Sequence, residues 1–293
     1  MTDGSSWNLN EGDEIVPGRS ALQLLGGGHR YEAYLAWDEE MHAVVVAKLL
    51  RPHLAHDASA LRGLRKEAEV IELLDHPALM RSFGLVADGE RPHLVLEHLE
   101  GGRLSTLLRK QRRLAIEQVI PLGAQLNSAL VYMHNKGVVH LDVKPRNIIM
   151  GAPPRLIDLS IARTFARAAA AVDPIGTDAY MAPEQCQPKL VGTMGPASDV
   201  WGWGVTMYEA ITGTLPFPKV DPNEGQEPAY PQLYLEPAPF GKEAPQRLAE
   251  LIMTTLEKRP ENRPSQREVA EALEPFTAAL PRKIVLSRLR PRV

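Results

Sequence analysis

The chain changes its apolar pattern at Gly101 and Gly102. Before this pair, short apolar runs are separated by a Gly-Gly-Gly segment and by polar turn sequences, which predicts five strands and one helix. After the pair, apolar residues recur every three or four positions, as on the buried face of a helix. Helices are predicted over 61–74, 119–133, 198–212 and 246–257. This order predicts a small β-rich lobe followed by a larger, mostly helical lobe, which is an α+β fold.

Composition excludes several classes of protein. The chain has 293 residues, of which 44% are apolar and 24% charged, as in soluble globular proteins of about two packed units. The net charge of -3 lacks the basic footprint of a nucleic-acid binder, so we expect no nucleic-acid partner. No apolar run approaches the ~18 residues of a membrane span. The single cysteine, Cys186, cannot form an internal disulfide, which favours the cytoplasm.

Four motifs follow one another along the chain. They are Val-Val-Val-Ala-Lys ending at Lys48, His-Leu-Asp-Val-Lys-Pro-Arg-Asn around Asp142, Leu-Ile-Asp-Leu-Ser around Asp158, and Ala-Pro-Glu ending at Glu184. This ordered set resembles the catalytic domain of eukaryotic-like (Hanks-type) serine/threonine protein kinases of the bacterial, actinobacterial type. The resemblance implies the bilobal protein kinase fold and transfer of the ATP γ-phosphate to serine or threonine hydroxyls of protein substrates, in bacterial signalling.

The resemblance also implies a division of the chain. The expected parts are a flexible segment 1–19, an N-lobe 20–97, a hinge 98–102, a C-lobe 103–277 and a basic tail 278–293. Residues 216–245 are dense in proline, which predicts an extended loop. Relatives of this type usually carry a membrane anchor after the kinase domain, so we expect either a soluble kinase or a chain cut before an anchor. The sequence leaves the oligomeric state open.

The implied catalytic residues are those that position and neutralise a transferring phosphoryl group. Asp142 would accept the proton of the substrate hydroxyl, and Lys144 would steady the γ-phosphate. Lys48 would grip the α- and β-phosphates, oriented by Glu67, with Glu69 as the rival partner. Glu184 with Arg263, and Asp199 beneath the catalytic loop, would be structural.

The resemblance further implies ATP and a divalent metal as cofactors. Asn147 and Asp158 supply hard oxygen ligands suited to Mg²⁺ or Mn²⁺. The implied nucleotide contacts are Gly26, Gly28, Ala33, Ala47, Lys48, Glu97, Leu99 and Ile149.

Three residues depart from the family pattern. Tyr31 replaces the third glycine of the glycine-rich loop, where its side chain either crowds the γ-phosphate or folds outward as a lid. Leu141 replaces the arginine that receives an activation-loop phosphate in many relatives, and Ser160 replaces the glycine after the metal-binding aspartate. These changes keep open a pseudokinase, a nucleotide-binding or scaffolding module; a small-molecule phosphotransferase is a further alternative.

Leu141 also bears on regulation, because it offers no positive charge to a phosphate. Thr164 is the hydroxyl placed like a loop phosphosite, between Arg163 and Arg167. We therefore predict a kinase that does not depend on activation-loop phosphorylation, with the loop ordered by packing of Ile161, Phe165 and the alanine run.

Overall fold

A computed structural model describes residues 6–218 and 230–280. Within these ranges the chain forms two units. The N-terminal unit comprises residues 6–75 and 80–99, and the C-terminal unit comprises residues 76–79, 100–218 and 230–280. The N-terminal unit is built mainly from strands and the C-terminal unit mainly from helices, so the α+β prediction is confirmed.

The N-terminal unit contains one antiparallel sheet with the strand order β1-β2-β3-β4-β6-β5. Its strands are β1 (Glu14–Val16), β2 (Arg19–Gly27), β3 (Tyr31–Asp38), β4 (Ala43–Leu50), β5 (Ser82–Val86) and β6 (His93–Glu97). The sequence predicted five of them and placed β1 in a flexible segment. Ile15 of β1 is buried in the sheet's core, and the Trp7 indole donates to the Leu50 carbonyl at 2.7 Å. This segment is therefore ordered from residue 6 onward, and the expectation of flexibility is wrong there.

Side chains of β3 alternate between two faces, as the pleat of a strand requires. Glu32, Tyr34, Ala36 and Asp38 are buried, while the residues between them are half-buried. The two buried carboxylates are paired. The Arg51 guanidinium lies 3.0 Å from Glu32, and the Arg19 Nε donates to Asp38 at 2.8 Å. The opposite face of β3 is only half-buried.

One long helix, α1 (Ala58–Glu72), belongs to the same unit. It begins three residues before the predicted start because the Asp57 carboxylate caps it, accepting from the Ala60 N–H at 2.7 Å. Its buried face carries Leu64, Glu67, Ala68 and Ile71, at helical spacing. The Glu67 carboxylate, in the middle of this helix, is therefore buried.

The C-terminal unit is helical with two small two-stranded sheets, β7 with β10 and β8 with β9. The helix α3 packs against α6 and α8 to form its centre. The elements, in order, are α2 (Leu104–Gln111), α3 (Ile116–Asn135), β7 (Val138–Val139), β8 (Ile148–Ile149), β9 (Arg155–Leu156), β10 (Arg163–Thr164), α4 (Phe165–Ala169), α5 (Pro183–Cys186), α6 (Pro196–Thr212), α7 (Gln246–Thr255) and α8 (Gln266–Ala278).

Four helices of this unit, α2, α4, α5 and α8, were not predicted from the sequence. The proline-dense loop is described at 216–218 and 230–245, where it contains the 3₁₀ turn Pro231–Leu233 and no α-helix. Residues 219–229 of that loop, and residues 281–293 of the predicted basic tail, lie outside the described residues. Over the ranges that are described, no helix is long and apolar enough to cross a membrane.

Candidate active site

Three polar side chains of the C-terminal unit form hydrogen bonds with Asp142. Its Oδ1 accepts a hydrogen bond from the Thr177 hydroxyl at 2.8 Å. Its Oδ2 accepts from the Lys144 ammonium at 2.6 Å and from the Asn147 amide at 2.9 Å. Lys144 also donates to the Thr177 hydroxyl. The cluster fixes one carboxylate beside one ammonium, in a place where both side chains remain partly accessible.

The backbone before Asp142 is hydrogen-bonded to a side chain of α6. The buried Asp199 accepts from the His140 N–H at 2.9 Å and from the Leu141 N–H at 2.7 Å. The His134 Nε2 of α3 lies 2.9 Å from the same carboxylate. Hydrogen bonds from backbone N–H groups to a carboxylate are stronger than those between neutral groups, so this loop is firmly positioned. The predicted role of Asp199 matches this geometry, whereas His134 was missed.

A glycine of α6 allows the loop to come this close. A Cβ built at Gly202 would lie 3.1 Å from both the carbonyl oxygen and the Cβ of Val143. Such a contact is tighter than ordinary van der Waals packing, so the helix and the residue after Asp142 approach each other only because position 202 lacks a side chain. The Gly-rich sequence of α6 thus serves the placement of Asp142.

Leu141 points away from solvent in a strained backbone conformation. Its φ is +65°, and its side chain is 3% exposed. It packs in a hydrophobic cluster with Val139, Ala168 and Met194, against which Ile161, Ala171 and Ile175 also lie. The segment after Asp158 is therefore attached to the Asp142 loop by apolar contacts. Phe165, which we expected among these contacts, is instead 36% exposed and lies edge-on to His134.

A second attachment of the same segment runs through Gln185, which the sequence analysis missed. Its amide donates to the carbonyl of Leu141 at 2.8 Å and to the carbonyl of Ile175 at 2.7 Å. Gly176 adopts a φ of +136°, and a Cβ there would lie 2.7 Å from Met181. The neighbouring Thr177 is thereby positioned to donate its hydrogen bond to Asp142. The position of Gln185, directly after Ala-Pro-Glu, was the available signal.

The two predicted metal ligands lie in the same unit. Because the Asn147 Nδ2 donates to Asp142, the Asn147 Oδ1 is the atom left to meet a cation. Asp158 follows β9 with a φ of +67°, an uncommon conformation for a residue other than glycine. Asn and Asp oxygens are the hard donors that Mg²⁺ takes, so these residues fit a divalent metal. No cluster of three His, Cys, Asp or Glu side chains suited to a metal occurs among the described residues.

Two arginines carry positive charge near these ligands. Burial lowers the pKa of Arg103, and the guanidinium of Arg146 lowers it further, while the Asp158 carboxylate acts in the opposite direction. Arg103 precedes α2 and forms a backbone bridge with Ile149 of β8. This region therefore concentrates opposite charges around Asp158.

In the N-terminal unit, Lys48 of β4 reaches α1. Its ammonium lies 2.7 Å from Glu67 Oε1, and the two side chains are 12% and 0% exposed. Glu69, the rival partner, is exposed. Residues two apart on a helix face different directions, which explains why Glu67 and not Glu69 meets the strand.

The glycine-rich turn between β2 and β3 is tight. Gly26 has a φ of +139°, and the Gly28 N–H donates to the Tyr31 carbonyl at 2.9 Å. The sequence predicted these two glycines as nucleotide contacts and did not predict Gly27. A Cβ at Gly27 would lie 2.7 Å from the Tyr31 carbonyl oxygen, so this position has the strictest steric need for glycine in the turn.

The prediction that Ala47 would contact an adenine ring is wrong. Ala47 is fully buried in the sheet's core, opposite Tyr34 in the strand register. Lys48 pairs with Ala33, and Val46 shares their face of the sheet because side chains alternate along a strand. Val46, not Ala47, therefore belongs with Ala33 and Lys48.

The remaining predicted nucleotide contacts fall in both units. Glu97 ends β6 and donates its N–H to the Arg81 carbonyl at 3.0 Å, and Leu99 is the last residue of the N-terminal unit. Ile149 belongs to β8 of the C-terminal unit.

A second ion pair lies in the C-terminal unit, away from solvent. The Arg263 guanidinium donates to both oxygens of Glu184, at 2.8 and 2.9 Å, and neither side chain is exposed. Arg263 also donates to the carbonyls of Ala197, Glu257 and Lys258, and Ser198 donates to Glu184. This pair ties α5 to the chain before α8, as predicted.

Comparisons with known proteins agree with this geometry. The sequence model of the protein kinase domain matches residues 19–274. The chain is 31% identical over 257 residues to the serine/threonine-protein kinase PknB of Mycolicibacterium smegmatis, covering 82% of this chain and 40% of that relative. It is 31% identical over 289 residues to the serine/threonine-protein kinase pkn2 of Myxococcus xanthus, covering 91% of this chain and 33% of that relative. The chain thus spans less than half the length of these relatives. It belongs to the protein kinase domain family, among the bacterial Hanks-type members.

Proposed function

We propose that this domain transfers the γ-phosphate of ATP to serine or threonine hydroxyls of protein substrates. The observation that carries the proposal is the Asp142 cluster, in which Lys144, Asn147 and Thr177 all bond to one carboxylate. A carboxylate held in this way is oriented before a substrate arrives, and such preorganisation is the main contribution a protein makes to phosphoryl transfer.

Each member of the cluster has a distinct task in this proposal. Asp142 accepts the proton of the substrate hydroxyl as its oxygen attacks the γ-phosphorus and ADP departs. Lys144, 2.6 Å from that carboxylate, supplies positive charge to the transferring phosphoryl group. Thr177 bonds both of them and so fixes the distance between base and ammonium.

The nucleotide contacts are proposed residue by residue from the family pattern. Lys48, oriented by Glu67, binds the α- and β-phosphates, and the turn at Gly26 and Gly28 covers them. Ala33, Glu97 and Leu99 from the N-terminal unit and Ile149 from the C-terminal unit contact the adenine. Val46 takes the place that the sequence analysis gave to Ala47, because it lies on the face that carries Lys48.

Asn147 and Asp158 would hold the divalent metal, for which we propose Mg²⁺, or Mn²⁺ in its place. When bound, such a metal neutralises phosphate charge during transfer. Asn147 is oriented for this task by its hydrogen bonds to Asp142, so metal binding and base positioning share one side chain.

The departures from the family pattern are compatible with catalysis. Leu141 packs in a hydrophobic cluster, whereas the arginine of relatives pairs with a phosphate. The neighbouring Asp142 carboxylate still accepts its hydrogen bonds from Lys144 and Thr177. This favours a kinase over a pseudokinase. It also supports our hypothesis that activity does not require activation-loop phosphorylation. The free and buried Cys186 fits the cytoplasmic location that we propose.

Replacement of Asp142 by Asn tests the function. We expect phosphate transfer from radiolabelled ATP to a generic basic protein, and to the chain itself, to fall about 10²- to 10⁴-fold, the usual contribution of a positioned base. Nucleotide affinity, measured by thermal shift with ATP and Mg²⁺, should stay near that of the wild type because Asp142 does not grip ATP. Omission of the metal should abolish transfer.

The matched control is Asp88→Asn, at an exposed carboxylate of the N-terminal unit. It should transfer phosphate like the wild type. Wild-type transfer that persists in Asp142→Asn, or a wild-type chain that binds ATP without any transfer, would contradict the kinase assignment.

A further inference from the structure

Tyr31 occupies the position at which relatives place the third glycine of the turn, and its ring lies over Lys48. The Lys48 ammonium is 4.6 Å from the centre of the ring. Tyr31 begins β3 on the same face as Ala33, the face that Lys48 shares from β4. The side chain is half-buried, so it does not fold outward into solvent.

The other end of the Tyr31 side chain reaches α1 at a glycine. A Cβ built at Gly63 would lie 3.9 Å from the Tyr31 hydroxyl oxygen and 3.4 Å from the Arg30 guanidinium. Any larger side chain at position 63 would meet these two groups. The absence of a side chain at Gly63 therefore lets the end of the turn pack close to α1.

Gly63 lies one turn of helix before Glu67. Residues four apart occupy the same face of a helix, so the Tyr31 hydroxyl lies beside α1 one turn from the carboxylate that binds Lys48. One aromatic side chain thus covers the strand lysine with its ring and places its hydroxyl beside the helix of the glutamate. The glycine-rich turn, β4 and α1 are joined at this point.

We propose that Tyr31 is a positioning residue that holds Lys48 beside Glu67 before nucleotide binds; this rests on the proposed kinase function. An ammonium over a ring face is attracted by the negative quadrupole of the ring, and the attraction grows as water is excluded. Lys48 is 12% exposed, which places it toward the excluded limit. The ring therefore adds to the ion pair with Glu67 in limiting the freedom of this long side chain.

Three variants separate the properties of the side chain. Tyr31→Phe keeps the ring and should hold kcat/KM for ATP within about twofold. Tyr31→Leu keeps bulk without a quadrupole and should lower kcat/KM for ATP about 3- to 30-fold, which corresponds to about 0.6–2 kcal/mol at 1.4 kcal/mol per factor of ten. Tyr31→Gly restores the family residue and should lower it at least as much as Tyr31→Leu.

A double-mutant cycle distinguishes positioning of Lys48 from a general structural role. ADP affinity in the presence of Mg²⁺ is measured for Tyr31→Leu in the wild-type chain and in Lys48→Met. If Tyr31 acts through the ammonium, its loss weakens ADP binding in the wild-type chain and has little effect in Lys48→Met. An equal effect in both backgrounds would overturn the proposal.

Two other outcomes would also overturn it. A rise of kcat/KM in Tyr31→Leu or Tyr31→Gly would mean that the ring obstructs the phosphates, and equal losses in Tyr31→Phe and Tyr31→Leu would mean that the ring face is irrelevant. Failure of the proposed function has a separate signature, namely a wild-type chain without Asp142-dependent transfer. The ADP cycle still tests Tyr31 in that case, because it needs no turnover.

Discussion

Each unit of the protein contains a buried ion pair that belongs to the family pattern, and these two pairs are built differently. In the C-terminal unit, Arg263 and Glu184 are bidentate, fully enclosed and bonded further to three backbone carbonyls and to Ser198. In the N-terminal unit, Glu67 meets Lys48 through one oxygen at 2.7 Å, and the ammonium retains some contact with solvent. The planar guanidinium suits a permanent fork, whereas the ammonium is a point charge with rotatable donors.

In our proposal, the difference separates Arg263, whose charge stabilises the fold, from Lys48, whose charge binds a ligand. Arg263 has its hydrogen bonds directed at protein atoms on several sides, so nothing else can approach it. Lys48 lies between Glu67 and the ring of Tyr31, and its side chain is 12% exposed. Burial of the carboxylate is therefore common to both pairs, and the exposure of the cation distinguishes them.

The largest effect is expected from removing the enclosed arginine. Arg263→Ala should leave Glu184 charged and buried, which costs about 3–5 kcal/mol of unfolding free energy. Urea unfolding measures this loss, and Arg267→Ala, at an exposed arginine of α8, is the control. If both variants lose the same small amount of stability, the enclosed pair does not hold the fold.

The next effect is expected from removing the partly exposed lysine. Lys48→Met should lower phosphate transfer by about 10²-fold or more through lost positioning of ATP. Its loss of unfolding free energy should be smaller than that of Arg263→Ala, because the Lys48 side chain is 12% exposed whereas that of Arg263 is fully enclosed.

The double variant Lys48→Met with Glu67→Gln sharpens this comparison. Removal of the carboxylate charge should restore stability while transfer stays low. Recovery of transfer together with stability would show that Lys48 acts through the fold and not on the nucleotide.

The smallest effect concerns an ion pair that could form only after phosphorylation. Thr164 caps α4 through a long hydrogen bond of 3.4 Å to the Arg167 N–H, and Arg163 lies beside it. Because Leu141 already anchors this segment, Thr164→Ala should keep the initial rate of transfer within about twofold. Phosphatase-treated wild type should start without a lag.

An opposite pattern would place Thr164 among the functional charges. That pattern is a large fall in initial rate after dephosphorylation, recovered by incubation with ATP in the wild type and absent in Thr164→Ala. Thr164→Ser, which keeps the hydroxyl, serves as the control in the same assay.

Motif spacing selected Asp142 and Asn147, five residues apart in one loop, and the structure joins these two side chains by a hydrogen bond. Motif spacing failed for Ala47, since residues on both faces of β4 are apolar and the strand shows no alternation from which to choose a face. Gln185 was missed because its partners, the Leu141 and Ile175 carbonyls, are backbone atoms that leave no mark in the sequence.

The missed helix α8 has a signal that the sequence analysis overlooked. Ser265 and Glu268 form a reciprocal capping box at its start, a recognisable sequence pattern. Pro275 near its end weakens the helical pattern, although a proline still fits into the last turn of this helix. Strand β1 is only three residues long and lies next to glycines, so its pairing depends on the sheet rather than on local propensity.

Leu141 attaches the segment after Asp158 through apolar contacts, which respond to salt and temperature differently from ion pairs. Apolar contacts are not screened by dissolved ions, as exposed charge pairs are. They also weaken on cooling, because the hydrophobic driving force near room temperature is largely entropic. The segment anchored by Leu141, Ala168 and Met194 should therefore stay attached across a wide range of ionic strength. Its attachment should weaken as the temperature is lowered.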